Sequence, residues 1–336
     1  MRCWVSFNRS KVNNILVISL SNLGDVILTF PVIDILLRDF PAAKFTVVVG
    51  PKAVTLFEGN PRISRVLIYN KRDPLKDQIR WFLQLRRDHF DLIVDLRHTF
   101  LPFALVTKYR TSLRVPQVPG QHMRKKHLNR LKGVFDFGSE SAEPRAFFIS
   151  PADIEVAQKL IQEVGNQKFL IVGPGAANHL KRWTTEGFAA LCDHLAEKYW
   201  LKIVLVGDQA DGPTVEAIAA RMKHKPLNLC GQTSLQQLAY LLSCSQGAIV
   251  NDSAIMHLAS YLNVPVLAIF GPTDPNQYGP WSSRSRVVTK KMTCLACQNP
   301  KSSNDHRCME NIKAEEIFKT VRLTNEGMVF EHHGSF

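Results

Sequence analysis

The 336-residue chain has no short repeat and no low-complexity tract. With 45% hydrophobic and 21% charged residues, it excludes disorder, collagen and coiled coil as the main architecture. Its seven cysteines are an odd number and scattered. Cys192, Cys230 and Cys244 sit in apolar stretches and read as small core residues. A secreted disulfide framework is thereby excluded, and a reducing cytoplasm fits better. A signal peptide is not expected, because the apolar run at 15–20 is too short and no small-residue cleavage site follows it. One uncharged window, 253–273, is long enough to span a bilayer. His257, Asn263, Pro265 and the strand-like VLAIF make it a helix, a turn and a buried strand instead, so any membrane contact is peripheral. Also missing are a Walker loop, a G-x-S-x-G elbow and an H-E-x-x-H pair.

Acidic residues are scarce in one half only. Residues 1–150 hold 24 basic and 12 acidic side chains, and residues 151–336 hold 18 and 17. The first half therefore supplies nearly all of the +13 net charge. Such a field suits an anionic partner: nucleic acid, a membrane surface, or a phosphorylated or carboxylated substrate.

At roughly 150 residues per domain the length predicts two domains. Short apolar runs at 15–20, 44–50, 66–69 and 92–95 read as buried strands. Helical spacing at 26–37 and 75–88 alternates with them. The pattern frays between about 114 and 151, where a linker is expected. It restarts with strands at 169–172, 202–206, 247–250 and 266–270 and helices at 185–199, 215–222, 234–243, 255–262 and 313–320. Repeated strand–helix alternation predicts two Rossmann-like α/β domains in tandem, with ligands beyond the carboxyl ends of the strands and a cleft between the halves. The expected boundaries are 1–150, 151–312 and a C-terminal helix and tail at 313–336.

Chemistry gathers at the strand ends. Asp25 follows the first strand on a Gly-containing turn, placed either to cap a helix or to act as a general base. The turn 173–177 (GPGAA) is small enough for backbone N–H groups to approach a phosphate, and Lys181-Arg182 follow it. In 251–258 (NDSAIMHL) a carboxylate at a strand end precedes a His one turn into a helix. That pattern fits a phosphate site, but taken alone it fits an Asp cap with a partly buried His better. Cys294, Cys297 and Cys308, with His306, approximate zinc-ligand spacing, although the last two ligands are awkwardly close.

Three stretches taken together resemble glycosyltransferase family 9, the ADP-heptose:lipopolysaccharide heptosyltransferases: ILVISLSNLGDVILTFPVIDILLRDFP, VGPGAANHLKRWTTEGFAAL and IVNDSAIMHLASYLNVPVLAIFGPTDP. The late CLACQNPKSSNDHRCMENI resembles the Cys-containing tail of many members. The likeness runs over about residues 13–320.

The resemblance implies a GT-B fold, with an N-terminal acceptor domain and a C-terminal nucleotide-sugar domain whose parallel sheets face a central cleft. It also implies an inverting transfer that needs no metal or other cofactor. Asp25 would deprotonate the acceptor hydroxyl, and Lys181 would stabilise departing ADP. Asp252 would bond heptose hydroxyls, and Ser253, Ala254 and His257 would line the diphosphate site. Ala176 and Ala177 fall where phosphate-loop residues lie, and Thr233 falls near the adenine. Family members usually carry Gly where Ala254 stands, and some carry hydroxyl residues at the positions of Ala176 and Ala177.

The implied partners are an ADP-heptose donor and an anionic Kdo-lipid A type acceptor, the lipopolysaccharide inner core. Arg97, His98, Arg110 and Arg114 are candidate acceptor contacts. The expected place is the cytoplasm, peripheral on the inner membrane surface, where each well-placed cation contributes about 1 kcal/mol. The same frame tolerates another sugar nucleotide or another envelope glycan. A nucleic-acid-binding protein is disfavoured, because no RNA or DNA module is recognisable and aromatics do not interleave with the basic run.

Overall fold

The structure is a computed structural model that describes residues 7–113, 118–140, 143, 145–290 and 307–331. It divides between Phe148 and Ile149 into two compact units.

The first unit is built on five parallel strands: β1 (Asn14–Ile18), β2 (Lys44–Val49), β3 (Arg65–Ile68), β4 (Leu92–Asp95) and β5 (Tyr109–Arg110). Their order is β3-β2-β1-β4-β5. Ile15 to Ile18 and Leu92 to Asp95 are buried along their whole length, as expected for central strands of a parallel sheet. Ile18 lies opposite Val48 and Asp95, so the central strands end level.

The helical pattern at 26–37 is two helices, α1 (Leu23–Ile27) and α2 (Phe30–Asp39). Pro31 is the reason. Its ring would clash with the Ile27 carbonyl and it has no N–H to give it, so the chain turns at Leu28-Thr29 and Pro31 takes a first-turn position. Next come α3 (Leu75–Arg86), α4 (Leu101–Ala104) and α5 (Met123–Lys132). The last falls inside the stretch expected to fray. His122 caps it by accepting from the Arg124 N–H, and it buries His127, Leu128, Arg130 and Leu131.

The second unit has six parallel strands: β6 (Phe169–Gly173), β7 (Lys202–Leu205), β8 (Leu227–Asn228), β9 (Ala248–Asn251), β10 (Val266–Phe270) and β11 (Ser285–Thr289). Their order is β11-β10-β9-β6-β7-β8. The helices are α6 (Pro151–Leu160), α7 (Thr185–Tyr199), α8 (Gly212–Arg221), α9 (Leu235–Cys244), α10 (Ala254–Tyr261) and α11 (Pro275–Tyr278). Ser234 caps α9 in a reciprocal box with Gln237. The 253–273 window is α10, a turn and buried β10, and no helix among the described residues is long and apolar enough to cross a membrane.

After the helix Ala314–Thr320 the chain forms an antiparallel hairpin, β12 (Val321–Thr324) and β13 (Gly327–Phe330), not foreseen from the sequence. Ile317, Val321 and Met328 join the same buried cluster as Phe188 and Leu267. Full burial of such side chains stabilises by about 1.5–3 kcal/mol each. Cys192 is buried, and burial pushes its thiol far above the ordinary range. Cys244, expected in the core, is exposed at the last residue of α9, where the helix turns away from the apolar face that holds Leu241 and Leu242.

Candidate functional site

Each sheet reverses its direction of growth once. In the first unit the chain builds outward from β1 to β3, then returns to the other side of β1 with β4. In the second it builds from β6 to β8, then returns beside β6 with β9. Beyond the carboxyl ends at such a reversal the two flanking loops diverge and leave a crevice. Most of the described candidate residues lie at or near these two places.

In the second unit the loop after β6 is held by three long-range contacts. Asn251, fully buried at the end of β9, donates from Nδ2 to the Pro174 carbonyl at 2.7 Å. Its Oδ1 accepts the Trp183 N–H at 3.1 Å. Arg182 donates from Nε and Nη2 to the Ala176 carbonyl at 3.0 and 2.9 Å, and its Nη2 lies 3.5 Å from Asp211 Oδ1. The loop passes close to the Asp211 carboxylate at Gly175, where a Cβ would sit 2.0 Å from it and the carboxylate would have to shift. Burial, and after it the Asp208 charge, push the Asp211 carboxyl above its ordinary value.

The same bracing places Lys181. Asn178 caps the turn His179–Lys181 by accepting the Leu180 N–H. Trp183 beyond it is anchored through Nε1 to the Ile312 carbonyl at 3.1 Å. Lys181 Nζ then lies 2.7 Å from Asp252 Oδ2, 71 residues away in sequence. Asp252 is buried, whereas the Lys181 ammonium stays partly open to solvent.

Asp252 immediately precedes Ser253, the N-cap of α10. Ser253 accepts no bond from the helix, and its buried Oγ has no hydrogen-bond partner. The first N–H groups of α10 are therefore not capped by a side chain. Ala254 is half-buried at the first helical position. His257, buried one turn on, stacks with Trp281 at 6.0 Å between ring centroids. Ala176 is buried and offers its carbonyl to Arg182, Ala177 is exposed, and Thr233 is half-buried just before α9. Lys181, Asp252, Ser253, Ala254, Ala176 and Ala177 thus share the β6/β9 reversal, whereas Thr233 follows the edge strand β8, two strands away from β6.

In the first unit Asp25 sits in the first turn of α1, half-buried, and accepts from Asn22 Nδ2 at 2.9 Å. Its loop crosses tightly over Gly50, where a Cβ would lie 2.6 Å from that of Ser21. Across the reversal, buried Asp95 at the end of β4 accepts the N–H groups of Arg97, His98 and Thr99. This knot holds His98 at φ 64°. The Arg97 guanidinium lies over Tyr69 at 5.2 Å, and that of Arg110 over Phe103 at 4.4 Å.

Arg114, Cys294, Cys297 and His306 lie outside the described residues. Cys308 is described and buried. The sequence analysis named Asn251 and Arg182 as motif residues but not as braces, and it missed Asp211 and Asp95. Asp211 stood in view beside Gly212, and Asp95 at a strand end.

Two Rossmann-like sheets with loop sites at the carboxyl ends place the protein in the GT-B class of α/β glycosyltransferases. The sequence pattern of glycosyltransferase family 9 (heptosyltransferase) matches residues 80–307, about two thirds of the chain. The chain is 27% identical over 287 residues to the lipopolysaccharide heptosyltransferase 3 of Escherichia coli, covering 77% of this chain and 84% of that one. Among solved structures it is similar to the glycosyl transferase family 9 protein of Veillonella parvula, with 25% identity, 91% and 95% coverage and a TM-score of 0.77. It shares the fold of the E. coli ADP-heptose lps heptosyltransferase II, at 20% identity, 91% and 96% coverage and a TM-score of 0.72. The chain belongs to glycosyltransferase family 9.

Proposed function

We propose that this protein moves heptose from ADP-L-glycero-D-manno-heptose to the inner core of lipopolysaccharide. One observation carries the donor half: a Lys181–Asp252 pair beside the uncapped start of α10, at the reversal of the second sheet. A helix start with free N–H groups and an adjacent ammonium suits a diphosphate. Ser253 Oγ, buried without a partner, matches a phosphate oxygen that would accept from it. Asp252 then serves the sugar hydroxyls, and Ala176 and Ala177 contribute backbone only.

Transfer is a single displacement with inversion. The acceptor hydroxyl loses its proton to an Asp25 carboxylate oxygen and its oxygen bonds the anomeric carbon. The bond from that carbon to the diphosphate oxygen breaks, and ADP leaves with the electron pair beside Lys181. No residue in this scheme needs a metal or other cofactor. The acceptor domain is 1–150, where the excess charge of +12 suits Kdo carboxylates and lipid phosphates. Arg97 and His98 at the β4 end, and Arg110 on the adjacent β5, are the proposed contacts. The same charge favours a peripheral place on the inner membrane surface.

The test is a transfer assay read by mass spectrometry. ADP-heptose is supplied with Kdo-lipid A acceptors carrying zero, one or two heptoses, with Asp25→Ala in parallel. A heptose-sized mass gain on one acceptor, lost in the variant, is expected. Transfer from a different sugar nucleotide alone, or undiminished transfer by the variant, overturns donor or base respectively.

A further inference from the structure

Most of the large apolar side chains that the first unit leaves exposed are gathered on two helices and their flanks, with Ile68 and Val118 elsewhere. On α3, Leu75 is 72% exposed, and Ile79 and Leu83 about half exposed. Their spacing of four residues puts them on one stripe. Lys76 and Arg80 each follow a stripe residue, so they lie about 100° round the helix beside it. The helix has a separate inward face, where Leu85 is buried and Trp81 and Phe82 pack against the same cluster. The stripe is therefore additional to the side that folds the domain. On α4 and the residues that flank it, Phe100 is 78% exposed, and Phe103 and Val106 are also open to solvent.

A cavity of about 340 Å³ joins the two helices. Ile79, Trp81 and Phe82 line it from α3, Leu101 from α4 and Phe100 just before it, and Arg97 is the one cation lining it among the described residues. Ile18, the last residue of β1, also lines it, so the face lies at the carboxyl end of the sheet, which carries the Asp25 loop. Residues 71–87 hold six basic and two acidic side chains. An apolar stripe flanked by cations is the pattern of a helix lying in a bilayer interface.

We infer that the α3–α4 face docks on an anionic lipid leaflet, with Leu75, Ile79, Leu83 and Phe100 entering the acyl boundary and the flanking lysine and arginine side chains meeting lipid phosphates. The cavity between the helices receives an apolar lipid segment. The inference rests on the transferase reading for the purpose of docking, which is to bring a lipid-borne acceptor to the Asp25 loop.

Its test uses neither donor nor acceptor. The full chain is sedimented with phosphatidylcholine vesicles and with vesicles containing phosphatidylglycerol. Three variants accompany it: Leu75→Ser with Leu83→Ser and Phe100→Ser, Lys76→Glu with Arg80→Glu, and Val329→Ser on the second unit as control. Thermal melting checks that each folds. Expected are salt-sensitive binding to the anionic vesicles, a loss of at least about tenfold in both face variants, and no change in the control. No binding by the wild type, or binding that the face variants retain, overturns the inference. So does self-association of the wild type, abolished by the triple variant without vesicle binding, which makes a second copy the occupant.

Discussion

Replacing Lys181 by Ala separates the brace to Asp252 that the structure shows from the leaving-group role proposed for the same side chain. Asp252 is 6% exposed and has the ammonium at 2.7 Å. Removing the cation leaves a buried carboxylate behind. A fully buried pair broken on one side costs about 3–5 kcal/mol. Lys181 is 30% exposed, so water screens the pair and the cost falls to about 1–3 kcal/mol. In a unit of this size that lowers the melting midpoint by about 2–10 °C. Turnover should suffer more. An ammonium aimed at a developing diphosphate charge contributes about 10²–10³ in kcat, or about 3–4 kcal/mol.

Calorimetry reads the first effect and initial rates at saturating donor read the second. Lys181→Ala combined with Asp252→Asn completes the cycle, because a neutral amide no longer needs the cation. The double variant should regain at least half of the lost stability and none of the lost turnover. A kcat for Lys181→Ala within about threefold of the wild type, alongside a lowered midpoint, would refute the leaving-group role and leave only a brace.

Three further outcomes are expected. Asp25→Asn should lower kcat by about 10³ and leave the melting midpoint unchanged, because Asp25 is half-buried and bonds only locally to Asn22; substantial residual turnover removes it as the base. Burial, and after it the charges of Arg130, Lys126 and His122, push His127 down to about 3. The unfolded chain thus binds more protons between about pH 3 and pH 6.5, and stability rises with pH through that window. From about pH 7 to about pH 5 the loss is about 2 kcal/mol by denaturant titration, and His127→Gln should flatten that slope; an unchanged slope refutes the assignment. Gly175→Ala drives a methyl into the Asp211 carboxylate; stability should fall by about 1–3 kcal/mol and ADP binding by calorimetry should weaken, and wild-type values for both would mean the loop yields freely.

Central strands and strongly periodic helices were legible because each is a local signal. The β4 strand is LIVD and buried throughout, and α7 spans Thr185–Tyr199 as its pattern predicts. Edge elements were not. The β5 and β8 strands are two residues each and offer no period to read. The α5 helix hid in a basic stretch because its apolar face is only His127, Leu128 and Leu131, with Arg130 buried among them. At the site, Asp25, Lys181 and Asp252 were visible as motif residues. The bond between the last two was not, since nothing local links residues 71 apart.

The proposed function also accounts for the uneven division of charge between the two reversals. At β6/β9 a ligand would meet few free charges. Lys181 already faces Asp252, Arg182 is spent on the Ala176 carbonyl and Asp211, and helix N–H groups remain for an anion. Such a site suits a compact diphosphate, and a unit with 18 cations against 17 acids can house it. At β1/β4 Asp95 is consumed by its own loop, while Arg97 and Arg110 rest on aromatic faces with their charge still presented outward. A polyanionic acceptor needs many shallow contacts and not one tight cradle, and an excess of +12 in that unit provides them. High salt should therefore raise KM for the acceptor steeply and KM for the donor little. Equal salt sensitivity of the two would mean that the charge asymmetry serves something other than substrate sorting.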